Sequence, residues 1–138
     1  MADVTPGGAD VTLVTANKRA SNGIGGATLG AGAFVYLDTG TSRYKGAINS
    51  SAAAAKCAGV LLDPTTDGNN CTFASQEGSE IDLGATLTEG TWYCISSTAG
   101  KIHPFADLAS AEQLVWVGYG NSSGNLMLYI INNTETKA

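Results

Sequence analysis

Gly26-Ala27-Thr28-Leu29-Gly30-Ala31-Gly32-Ala33-Phe34-Val35-Tyr36-Leu37 returns later in the chain as Gly84-Ala85-Thr86-Leu87-Thr88-Glu89-Gly90-Thr91-Trp92-Tyr93-Cys94-Ile95. Each copy is a small-residue segment with one leucine, followed by a run of β-branched and aromatic residues. Such a run is strand-forming, because these side chains suit a pleated, half-buried surface. The likeness continues outward. Arg43-Tyr44-Lys45 falls near Lys101-Ile102-His103, and Gly59 falls near Gly118 after one inserted residue. Self-similarity constrains a fold more than local propensity does. It predicts two related β units, spanning residues 26–62 and 84–121, each covering the other's apolar face.

The remaining chain agrees. Of 138 residues, 43% are hydrophobic, 14% are charged and 18 are glycine. No stretch repeats apolar residues at helical spacing, whereas strand-like runs bounded by Gly, Asn, Asp and Ser recur about every ten residues. Ala52–Ala55 has room for a single helical turn. Asp67-Gly68 signals a hairpin with Cys71-Thr72-Phe73 returning. Residues 113–119 and 126–131 are almost continuously apolar, which predicts two strands buried on both faces. The expected fold is all-β: a single-domain β-sandwich or barrel, jelly-roll-like, over residues 11–138. Residues 1–10, small, polar and Gly/Pro-bearing, are expected to form a flexible N-terminal arm.

Seven basic residues against twelve acidic ones give a net charge of −5. That balance weighs against gripping nucleic acid or anionic lipid. The opening Met1–Gly8 carries no basic end and no apolar stretch, and no window reaches the roughly 20 apolar residues of a membrane helix. A protein made in the cytosol is expected, with Cys57, Cys71 and Cys94 as buried free thiols. Without export, the Asn-x-Ser/Thr triplets at Asn49, Asn70, Asn121 and Asn132 carry no meaning.

Motifs for catalysis fail on context. Gly120-Asn121-Ser122-Ser123-Gly124 spells a nucleophile elbow, but a strand-like run follows where a helix is required. The only histidine, His103, precedes Ser122, which reverses the order such a triad needs. A hydrolase working through Ser122 is thereby disfavoured. The three cysteines lack zinc spacing. Asp63-x-Thr65-x-Asp67-Gly68 begins like a calcium loop, but Ala74 stands where the closing Glu belongs. Gly23–Gly32 lacks the Lys and the helix of a phosphate cradle. Trp92 aligns with Phe34, which predicts a shared core position. No enzyme, cofactor or metal is expected.

Residues 84–108, Gly-Ala-Thr-Leu-Thr-Glu-Gly-Thr-Trp-Tyr-Cys-Ile-Ser-Ser-Thr-Ala-Gly-Lys-Ile-His-Pro-Phe-Ala-Asp-Leu, resemble the capsid cement, or head decoration, proteins of tailed bacteriophages. The Gly32–Leu62 region is similar to the same family, and the resemblance spans residues 26–131. It implies a β domain on the outer surface of an icosahedral phage head, made in the bacterial cytoplasm, that clamps neighbouring copies of the major capsid protein. A homodimer or homotrimer is expected, because several docking faces then lie along a symmetry axis. Val4, Thr5 and Pro6 of the arm, with Val11 and Leu13 of the first strand, are the expected contacts with the capsid or a sister subunit. The competing reading is a fibre-head or carbohydrate-binding β domain. It needs exposed aromatic residues in a shallow groove, for which Tyr44 and Phe105 are the candidates.

Overall fold

A computed structural model of the chain describes residues 3–7, 11–14 and 20–137. Short strands follow one another: β1 (Thr12–Leu13), β2 (Ala20–Ile24), β3 (Phe34–Asp38), β4 (Arg43–Gly46), β5 (Gly59–Leu61), β6 (Asn70–Ala74), β7 (Glu80–Asp82), β8 (Trp92–Ile95), β9 (Ile102–Pro104), β10 (Gln113–Gly120) and β11 (Leu126–Thr136). One helical turn, α1 (Ala52–Ala55), interrupts them. Ser51 opens it by accepting a hydrogen bond from the Ala54 amide, and Lys56 leaves it in an extended conformation. Two antiparallel sheets pack together as a sandwich, with no closed barrel. Their strand orders are β1-β7-β11-β10-β8-β9 and β2-β6-β5-β3-β4.

The repeat seen in the sequence is a repeat of strand pairing. Counted from the hairpin edge, β4-β3-β5-β6-β2 in one sheet matches β9-β8-β10-β11-β7 in the other. The register matches as well. Val35–Gly46, Tyr36–Lys45 and Leu37–Tyr44 of β3/β4 correspond to Tyr93–Pro104, Cys94–His103 and Ile95–Ile102 of β8/β9, all by the same shift in residue number. Phe34–Val60 and Val35–Gly59 correspond to Trp92–Tyr119 and Tyr93–Gly118. The one inserted residue of the second unit falls where β10 carries a bulge, between Trp116 and Gly118.

The two units stack front to back. Phe34, Val60 and Ala74, on one face of the first sheet, share the main core with Tyr93, Ile95, Ile102, Leu126 and Leu128 of the second. The opposite face of the first sheet carries Val35, Leu61, Cys71 and Phe73. Leu29, Ala33, Ala58 and Tyr44 pack over these four as a small second core. Backbone bonds across the units reinforce the stack: Phe34 N–H donates to Gly100 O, and Asn49, 1% exposed, donates its side-chain amide to Ile95 O.

Sheet edges, which would otherwise template pairing with other chains, are largely occupied. Gly26 N–H donates to Tyr44 O, and Gly25, just past β2, bridges Tyr44 on β4 at the opposite edge of the same sheet. Val4 N–H donates to Ile102 O and so covers β9. The remaining edge strand, β1, has two residues. The sequence reading sets residues 1–10 outside the fold. Over residues 3–7 the chain instead lies along the body, because the β9 edge and the Leu83 carbonyl, bonded by Gly7 N–H, offer it backbone partners. Asp3 also accepts from the Ser96 hydroxyl, 2.6 Å away. Residues 1, 2 and 8–10 lie outside the described residues.

Candidate functional site: an uncovered aromatic sheet face

The outward face of the second sheet is built by alternation. On β11, Leu126 and Leu128 are buried and Ile130 packs on the core, so Met127, Tyr129 and Ile131 point the other way. On β10, Val115 and Val117 are in the core, and Trp116 points outward. Strict alternation would then send Tyr119 inward. The bulge at Gly118 adds one residue to the inward run and returns Tyr119 to the outer face, opposite Trp92 and Met127. Gly118 has φ +146, and a Cβ there would stand 2.1 Å from Met127 O, so the bulge depends on glycine.

These side chains form a continuous patch. Trp92 lies 5.8 Å from Trp116, 5.0 Å from Tyr119 and 6.1 Å from Tyr129, measured between ring centroids. Phe105, in a single 3₁₀ turn after β9, extends it at 4.9 Å from Trp116. Lys137 caps that end, with Nζ 5.3 Å above the Phe105 ring while donating to Leu108 O. Trp92, Trp116 and Ile131 line a shallow apolar hollow of about 220 Å³. Trp92 and Phe105 are each 37% exposed, and Tyr129 and Ile131 each 39%. Edge-to-face packing among the rings holds them in place without covering them.

This corrects three expectations. Trp92 shares its strand position with Phe34 but not its burial: Phe34 is in the core and Trp92 is at the surface. The stacking is front to back, so equivalent faces of the two units meet different surroundings. Residues 113–119 and 126–131 are buried on one face only, although both faces are apolar. Of the two aromatic candidates, Phe105 joins the patch, whereas Tyr44 packs on Phe73 at 4.7 Å inside the second core. Trp116, Tyr119 and Tyr129 were missed because an apolar row reads as core whether or not anything covers it.

The five expected contact residues are placed mainly inward. Val11 is buried, Val4 and Leu13 pack against the core, and Pro6 lies against Gly32. Thr5 alone among them is exposed.

Near β9 the outer face is closed over. Cys94 and His103 point to it and are fully buried. His103 Nδ1 lies 2.9 Å from Pro104 O, an acceptor only, so Nδ1 donates. Cys94 Sγ sits 3.8 Å from the same ring nitrogen. Burial pushes the Cys94 thiol up to about 12, with Glu112 and Asp107 acting in the same direction and Lys137 against them. Burial likewise raises Cys57, from 9.0 to about 12, and raises Cys71. All three are free and buried, as expected from the sequence. A thiol pKa raised by folding means that the folded state holds its proton more tightly. That contribution to stability is complete below 9 and is lost as pH climbs from 9 towards 12. The native protein should therefore resist alkylation at mildly alkaline pH, react fully once unfolded, and show a urea midpoint that falls above pH 9. Rapid labelling of the native protein would contradict the burial.

Ser122 lies in the exposed β10–β11 turn, where Asn121 Oδ1 accepts from the amides of Ser123 and Asn125. This is a side-chain-stapled hairpin turn, not a strand-to-helix elbow. Asn121 and Asn125 also donate to Glu80, and these two bonds hold its carboxyl below the usual carboxylate range. Asp67 pairs with Arg43 at 2.7 Å, so the segment that begins like a calcium loop is tied into an ion pair. Among the described residues no three His, Cys, Asp or Glu side chains cluster as metal ligands, and no helix is long and apolar enough to cross a membrane. No family model, curated protein or solved structure matches the chain.

Proposed function

We propose that this chain is a structural protein of the capsid-decoration kind, which binds the outside of an icosahedral phage head and bridges neighbouring capsid subunits. The observation that carries the reading is a β-sandwich with largely occupied edges and one uncovered aromatic sheet face. Such a body associates through faces, without the uncontrolled strand pairing that open edges invite. The net charge of −5 suits a surface that points away from packaged DNA. Each contact can be modest, because a molecule docked at one end meets its second contact at high effective concentration. The resemblance of residues 26–131 to the cement proteins supplies the class of partner, the major capsid protein, and the virion as the place of action.

Purified protein mixed with undecorated heads should give stoichiometric density on the outer surface by electron cryomicroscopy, and the heads should survive heating better. Heads that stay bare at saturating protein would overturn the reading.

Recognition of a glycan is the second reading, favoured by the exposed indole of Trp92. Trp92, however, is crowded by three rings, with the centroids of Tyr119, Trp116 and Tyr129 at 5.0, 5.8 and 6.1 Å. A sugar platform presents a free ring face instead. A glycan array separates the two: specific binding that is lost in Trp92→Ala would favour recognition.

A further inference from the structure

We infer that the aromatic face is an interface between two copies of this chain, joined back to back about a twofold axis. The internal repeat carries the argument. The face of the first unit that corresponds to the aromatic one, with Phe34 equivalent to Trp92 and Val60 to Tyr119, is covered by a whole sheet of the same architecture. The fold thus already shows what lies on that face when it is covered. In the second unit the equivalent face has no sheet over it among the described residues.

The front-to-back stack cannot simply continue into another molecule. The surface that would have to be added next is the front of a first unit, and there Leu29, Ala33, Ala58 and Tyr44 already close over Val35, Leu61, Cys71 and Phe73. Four of the seven exposed large hydrophobic side chains among the described residues, Trp92, Phe105, Tyr129 and Ile131, lie on the aromatic face, so a second copy offers the same patch. Identical patches meeting each other form an isologous pair, which closes after two copies.

Charge and area agree. The outward row of Trp92, Trp116, Tyr119, Met127, Tyr129 and Ile131 contains no ionisable carboxylate or ammonium, and the carboxylate beside it on the same face, Glu80 opposite Met127, is held by the side-chain amides of Asn121 and Asn125 at the end of the patch. Trp92, Phe105, Tyr129 and Ile131 alone expose on the order of 300 Å² per copy, given that such side chains present roughly 150–250 Å² when bare. That is a suitable apolar centre for an interface burying about 800 Å² per partner. The inference goes beyond the decoration role and stands without it.

The test uses the full chain. Sedimentation velocity over a wide concentration range should show twice the chain mass, dissociating on dilution. Trp92 and Trp116 are the only tryptophans, so their emission should move to longer wavelength as the pair separates. Trp92→Ser and Tyr129→Ser should each weaken association, the tryptophan change by about thirty-fold or more, as for a buried hot-spot residue. Both positions are surface-exposed, so urea midpoints should confirm that the variants fold. A monomer at every concentration, or an assembly indifferent to both substitutions, would overturn the inference. A monomeric chain whose binding to heads is lost in these variants would also overturn it, assigning the face to the capsid and leaving the decoration role intact. A dimer that ignores heads would count against the decoration role alone.

Discussion

Gly118→Ala is expected to destabilise the protein by about 3 kcal/mol or more, through strain and overpacking at a single bulge. The added Cβ would meet Met127 O at 2.1 Å and Met127 C at 3.0 Å, both rigid backbone atoms in the neighbouring strand. The φ of +146 adds strain that no side-chain movement can relieve. Relief requires β10 to drop its extra residue. That change would turn Tyr119 inward and break the Trp92–Tyr119 contact at 5.0 Å. The same position in the first unit is Gly59, where a Cβ would meet Ala74 O at 2.4 Å, so Gly59→Ala should also be costly. Gly30 supplies the control: nothing lies within 4 Å of where its Cβ would stand, and Gly30→Ala should change stability by under about 0.5 kcal/mol. Equal urea midpoints for Gly118→Ala and Gly30→Ala would refute the bulge.

Phe34→Ala and Trp92→Ala should differ sharply although the two residues hold the same place in the repeat. Phe34 is 1% exposed, and its truncation leaves a cavity between the sheets, worth about 3–5 kcal/mol. Trp92 is 37% exposed and its truncation opens no cavity between the sheets, so it should cost the monomer about 1–2 kcal/mol in ring contacts while removing the centre of the aromatic patch. Chemical denaturation at low protein concentration measures both without a contribution from association. Comparable losses would mean that the units pack symmetrically and not front to back.

Much of the architecture was legible because it rests on local chemistry. The paired segments beginning at Gly26 and Gly84 announced two β units, and their alignment transfers to the strand register at Val35–Gly46 and Tyr93–Pro104. The Ala52–Ala55 turn and the burial of Cys57, Cys71 and Cys94 followed from composition and neighbours. The site was not legible. Hydrophobic patterning reports which residues shun water, not whether a partner surface exists, so Trp116 and Tyr129 looked like core. The alignment of Trp92 with Phe34 was sound as a statement about strand position and misleading about burial. Residues 3–7 read as a loose arm because the partners of the Val4 and Gly7 amides lie at Ile102 and Leu83, far along the chain.

What the residues decided alone was the strand: its period, its turns and its twofold recurrence, all set by steric preferences within a few bonds. Which face of each sheet meets the other belongs to the assembled molecule. Front-to-back stacking buries the row that contains Phe34 and leaves the row that contains Trp92 facing water, and no term local to either strand distinguishes those outcomes.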